Sequence, residues 1–171
     1  MEAGDHRQAA EAFEEAIRLH PSYVKAMLNL TATLIVLEEH ERALEVISEA
    51  EVLSPGDPQI WSTKGVVLEL RGLTTKALEA YSMTMELDPE DPAAAYNNGN
   101  LLLKLGRMEE SAAAFKSCLS AAPFHFGATM GLGRSLEGMG KLDMASEIYL
   151  VAVEVHSEEV LPYTALGRVL L

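Results

Sequence analysis

Three side chains able to hydrogen-bond a carboxylate recur at one step, since Asn100, Arg134 and Arg168 stand 34 residues apart. A second row, Asn29, Thr63 and Asn97, keeps the same step and lies three places earlier in the register. Asparagine offers both a donor and an acceptor, which suits the backbone of an extended peptide, while arginine presents a planar fork that matches a carboxylate. A spacing of three puts the two rows on one face of any helix that carries them. Such chemistry is recognition rather than turnover.

The side chains that could support catalysis are scattered. His6, His20, His40, His125 and His156 fall in turns or at helix ends by the repeat register, with no pair at metal-ligand spacing on one helix, so they read as solvated histidines. Glu38-Glu39-His40-Glu41 is a charged turn, and Cys118 holds a place where a small packed side chain is expected, which makes its thiol inert. Gly131-Leu132-Gly133 has no strand before it, and Gly140-Lys141 lacks the upstream glycine and the following hydroxyl of a phosphate loop. Asn29-Leu30-Thr31 fits a glycosylation acceptor by chance, since it falls in a helix. Trp61 obeys the repeat and belongs to the core before it could stack on a base. The sequence therefore predicts no catalytic residue, no metal site and no cofactor.

The elements that must position the two recognition rows are set by the same period. Pro21, Pro55, Pro89 and Pro123 are 34 residues apart, as are Gly65, Gly99, Gly133 and Gly167. A fixed repeat of this length marks a stack of identical supersecondary units, each packing on its neighbours. Within the unit from Pro58, Asp57 caps a first helix that runs to about Arg71, where Gly72 supplies a left-handed end; Asp91-Pro92, Gly106 and Gly140 repeat these devices. A second helix, roughly Thr75 to Leu87, carries Ala77, Leu78, Tyr81 and Met85 on one stripe, and Pro89 stops it. Small residues at Ala9, Ala43, Ala77, Ser111 and Ala145 are each followed four places later by a bulky one, Phe13, Ile47, Tyr81, Phe115 and Tyr149, so that neighbouring helices interdigitate.

Composition narrows the partners. Across 171 residues, 26 acidic against 13 basic side chains give a net charge of −13, which repels nucleic acid and anionic membranes. A single cysteine forbids an intramolecular disulfide and fits a reducing compartment, the cytoplasm first, with the nucleus and the cilium left open. The acidic start Met-Glu-Ala-Gly-Asp is unlike a signal or transit peptide, and no apolar run approaches the roughly 18 residues of a membrane span.

Trp61, Gly65, Leu68, Ala77, Tyr81 and Pro89 occupy the signature positions of the tetratricopeptide repeat family, which the chain resembles over its whole length. The resemblance implies an all-α, right-handed α-solenoid of antiparallel helix pairs, a superhelix in one array over 1–171. Its register gives a second helix of a partial unit over 1–23, full units over 24–57, 58–91, 92–125 and 126–159, and a first helix of a partial unit over 160–171. An exposed apolar end is expected at Val160 to Leu171, with self-association through the array ends as one consequence. Thr31 replaces a family glycine, Ser157 replaces the closing proline, and Lys64 and Asn98 replace a buried leucine. The last two imply either a loosened or hydrogen-bonded helix junction or a functional pair.

In proteins similar to this one the first helices line a concave groove. The five first-helix segments carry Lys25, Lys64, Arg71, Lys104, Arg134 and Arg168 against only Glu69 and Glu137, a balance of +4, while the rest of the chain stands at −17. The resemblance thus gives a basic groove lined by Lys25, Asn29, Thr63, Asn97, Asn100, Lys104, Arg134 and Arg168, suited to an acidic or C-terminal peptide of a protein partner. One subclass of the family clamps chaperone tails with lysine, asparagine and arginine; here Ser62, Val66, Gly127 and Gly131 stand at the corresponding places and only Asn97 matches, so that ligand is not expected. The reading is a non-catalytic interaction scaffold. Its alternatives are a substrate-recruiting segment of a larger enzyme such as an O-linked glycosyltransferase, and an architectural segment of a multi-subunit assembly.

Overall fold

The computed structural model describes residues 3–171, and every regular element among them is a helix. In order these are α1 (Ala3–Leu19), α2 (Val24–Val36), α3 (His40–Leu53), α4 (Pro58–Leu70), α5 (Thr74–Leu87), α6 (Pro92–Lys104), α7 (Met108–Ala121), α8 (Phe126–Gly138), α9 (Leu142–Val155) and α10 (Val160–Val169). The chain divides into two compact units, Met1–Asp88 with α1–α5 and Pro89–Leu171 with α6–α10. Within each, consecutive helices pack on one another, and first helices also touch the next first helix, α2 with α4 and α6 with α8. The fold is an all-α repeat solenoid.

Helix ends follow the residue types. Asp57 and Asp91 accept the backbone N–H two residues on, from Gln59 at 2.9 Å and Ala93 at 2.8 Å, with proline in the first turn of each helix. At the far end of α4 the N–H of Gly72 donates to the carbonyl of Glu69 and that of Leu73 to Leu68, both at 2.9 Å, which forms a Schellman turn. The same pair of bonds closes α6 at Gly106 and α8 at Gly140. Each of these glycines has φ between 71° and 74°. The fourth such turn, at the end of α2, has Glu38 in the glycine's place with φ 60°. It is held by the same bonds, yet its Cβ pays the left-handed penalty that glycine avoids.

Small against large decides how closely the helices of a pair approach. A Cβ added to Gly65 would lie 2.5 Å from Cε1 of Tyr81, and one added to Gly99 would lie 2.9 Å from the Phe115 ring; Gly133 has the same relation to Tyr149. The three rings are almost wholly buried. Where Thr31 replaces the glycine, the ring position is Ile47, and both side chains are fully buried. The Thr31 hydroxyl donates to the Met27 carbonyl at 2.8 Å, so it is buried but satisfied.

The other departures from the repeat are likewise accommodated. Lys64 is half-buried, its ammonium paired with Glu51 of α3 and 5.3 Å from the centroid of Trp61, so a cation at a leucine position is neutralised at the helix junction. Asn98 is buried. Replacing the proline at Ser157 leaves the turn closed, with the Glu159 N–H donating to the His156 carbonyl, and Tyr163 donates to the Ser157 carbonyl at 3.2 Å. The bond joins the same two repeat positions, six residues apart, as that from Trp61 Nε1 to the Pro55 carbonyl at 2.7 Å.

Two outcomes are expected. Gly65→Ala should destabilise the fold by roughly 1–3 kcal/mol in urea unfolding, and Tyr81→Leu added to it should recover part of the loss, because the clash is with the ring. Glu38→Gly should raise stability by about 1 kcal/mol, by relieving the one left-handed non-glycine residue among those described.

Candidate functional site

The two polar rows lie on first helices, but they do not run evenly. At the sixth place of successive first helices stand Asn29, Thr63 and Asn97, then Gly131 and Ala165. At the ninth place stand Ala32 and Val66, then Asn100, Arg134 and Arg168. The polar row therefore shifts by three residues within α6, and beyond it the sixth place is left small.

The second unit has a pocket of about 550 Å³ between α6, α8 and α10, lined by Asn100, Arg134, Thr164 and Arg168 and by Tyr96, Phe126, Gly127, Met130, Gly131, Leu161 and Ala165. Three sequence-predicted residues, Asn100, Arg134 and Arg168, converge here. Asn97 and Lys104 sit on α6 outside its lining, half-buried and exposed respectively. Lys25, Asn29 and Thr63 belong to the first unit: Lys25 and Asn29 are exposed, and the half-buried Thr63 directs its hydroxyl to the Gln59 carbonyl at 2.8 Å.

The electrostatics of the pocket turn on Glu137. Arg168 forks onto it, Nε to Oε1 at 2.9 Å and Nη2 to Oε2 at 2.8 Å, and the Tyr149 hydroxyl donates to Oε2 at 3.0 Å. The guanidinium holds the Glu137 carboxyl below the usual carboxylate range, against the opposing effect of burial. Burial, then the bond and charge of Glu137, push the Tyr149 phenol up. Arg134 makes no hydrogen bond or ion pair among the described residues, although its charge also favours the ionised form of Glu137. Two arginines against one carboxylate leave a single positive charge at the pocket edge.

Sequence reasoning counted Glu69 and Glu137 only as the two acids of the first helices. Each is the acceptor for a tyrosine twelve residues on, Tyr81 to Glu69 at 3.1 Å and Tyr149 to Glu137. The signal was present: where the ring is Phe115 the residue twelve places back is Leu103, and where it is Ile47 that residue is Ile35. A buried hydroxyl demands an acceptor that an apolar side chain does not.

Four of the five histidines are half-buried, and two of these pack on aromatic rings. His125 lies with its ring centroid 4.6 Å from that of Tyr96 in a tilted pair, and accepts the Ala128 N–H through Nδ1 at 3.0 Å, capping α8 from the place that Asp57 and Asp91 hold in earlier repeats. His156 is half-buried against the edge of Phe126 at 5.0 Å. Cys118 is buried on α7, and burial followed by the charge of Asp91 pushes its thiol up, away from the reactive thiolate. Among the described residues no three metal-ligating side chains cluster, and no helix is long and apolar enough to cross a membrane.

Tetratricopeptide repeat models match residues 1–66, 68–126 and 96–154. No curated protein sequence matches the chain significantly. Among solved structures, a crystal structure of MamA superposes with a TM-score of 0.85 at 21% identity, over 91% of this chain and 91% of that one. YrrB, described as a TPR protein with an unusual peptide-binding site, superposes with a TM-score of 0.83 at 21% identity, over 94% of this chain and 82% of that one. MamA from Desulfovibrio magneticus RS-1 gives 0.79 at 24% identity, over 85% and 82%. At these identities the structures speak for the fold, and the repeat models carry the family. The chain belongs to the tetratricopeptide repeat family.

Proposed function

We propose that the protein is a non-catalytic scaffold that holds a peptide segment of a protein partner against the first-helix face of its repeats. Tetratricopeptide repeat proteins bind protein or peptide partners, and YrrB is described as carrying a peptide-binding site on the same fold. The observation that carries the reading is the convergence of Asn100, Arg134 and Arg168 around one pocket of α6, α8 and α10. A net positive edge favours a partner segment bearing negative charge, while the overall charge of −13 opposes nucleic acid. The asparagine amide can satisfy both a carbonyl and an N–H of an extended chain.

A random peptide library selected on the protein supplies the ligands for the test. Replacing Asn97, Asn100, Arg134 and Arg168 together by alanine should weaken the selected peptides by about tenfold or more, equivalent to about 1.4 kcal/mol. Substitutions on the exposed faces of α7 and α9, at Lys116 and Glu147, should leave binding within about twofold. Binding that survives the first set and is lost with the second would falsify the assignment of the face.

A further inference from the structure

Gly127 and Gly131 present bare backbone in the pocket lining, and the places a Cβ would take are held by the Tyr96 hydroxyl, 2.6 Å away, and by the Phe115 ring, so Gly131 admits no side chain and Gly127 only by a shift of Tyr96. The space above them is bounded by Tyr96, Phe126, Met130 and Leu161, two rings, a thioether and an aliphatic side chain. A cavity of about 550 Å³ with this lining is large enough for an aromatic side chain, and the sulfur of Met130 suits contact with a ring.

The charge lies one helical turn along. Arg134 follows Met130 by four residues and Gly131 by three, so its side chain leaves α8 next to that of Met130, with their Cβ atoms about 5–6 Å apart. Arg168 is occupied by Glu137 in a two-point fork, whereas Arg134 has no hydrogen-bonded partner among the described residues. The site thus has one uncompensated positive charge beside one apolar cavity. In an extended peptide, adjacent side chains face opposite ways, and residues two apart share a face at about 6.6–6.8 Å. The reach of the arginine side chain more than covers the difference of about 1 Å between these spacings, so two peptide residues two apart can meet the pocket and Arg134 together.

We propose, building on the scaffold reading above, that this pocket recognises an internal extended segment of the form aromatic-x-acidic, with the aromatic side chain over Gly127 and Gly131 and the carboxylate on Arg134, assisted by the amide of Asn100. The ligand is a monoanionic peptide side chain placed by an apolar neighbour. Asn100 borders the pocket from α6, so its amide stands beside the segment as the segment passes from the apolar floor to Arg134.

The test uses a dye-labelled peptide with both ends blocked, acetyl-Gly-Ser-Phe-Ser-Glu-Ser-Gly-amide, titrated with the full chain by fluorescence anisotropy. Phe→Ala in the peptide should weaken binding by about tenfold or more, and Glu→Gln by several-fold, the latter effect shrinking as salt rises. Arg134→Glu should abolish the preference for glutamate and restore binding to the peptide with lysine in its place; Arg134 is exposed and hydrogen-bonds to no described residue, so the variant should stay folded, with a modest loss of stability from the second carboxylate beside Glu137. Equal affinity for the Glu and Gln peptides, or no loss on Phe→Ala, overturns the motif. So does tighter binding of Gly-Ser-Gly-Ser-Phe with a free terminal carboxylate, which would make the chain end the ligand. If library peptides bind the α6, α8 and α10 face but lack the aromatic-x-acidic pattern, the scaffold reading stands and this inference fails.

Discussion

Tyr81, Phe115 and Tyr149 can lie against α4, α6 and α8 only because Gly65, Gly99 and Gly133 leave the backbone bare beneath them, and this contact fixes how close each helix pair comes. Interiors pack at crystal-like density, so a single methyl at such a place must be met by a shift of ring or backbone. The first repeat shows the alternative solution, in which a larger Thr31 is balanced by a smaller Ile47. The sum of the two side chains matters more than either one. Everything presented by the first helices depends on this distance.

A ring that carries a hydroxyl brings a second requirement, and the polar surface grows out of it. Tyr149 needs an acceptor and finds Glu137, and Glu137 in turn holds Arg168 of α10 by a two-point bond. One buried phenol thereby orients an arginine on the next helix. Arg134, on the same helix as Glu137, is left unmatched. The second unit acquires a positive edge beside an apolar pocket through a chain of contacts that begins in its core, and Gly131, at the sixth place of α8, lets the Phe115 ring pack against the helix beneath that pocket.

Much of the architecture was legible from the 34-residue step, because capping and close packing need particular residue types at particular places. Asp57 and Asp91 mark helix starts, and Gly72, Gly106 and Gly140 mark left-handed ends. Glu38 was not legible as such an end, since its conformation is imposed by the flanking bonds and not preferred by the residue. His125 hid its capping role because histidine is an uncommon cap, and only its place in the repeat could have revealed it. Of the recognition rows, the convergence of Asn100, Arg134 and Arg168 follows from period and helical spacing. The pocket between them does not, because its depth depends on where Tyr96 and Phe126 turn their rings. The engagement of Arg168 by Glu137 also required three dimensions, because the two residues lie on different helices 31 residues apart.

The proposed recognition by the first-helix face of α6, α8 and α10 is read directly by titrating the isotopically labelled 171-residue chain with a selected peptide and following backbone amide and arginine Nε resonances by NMR. The largest shifts are expected on Asn100, Met130, Arg134 and Thr164, with α7 and α9 nearly silent. Shifts concentrated on the exposed residues of α7 and α9, with Arg134 unmoved, would place recognition on the opposite helices.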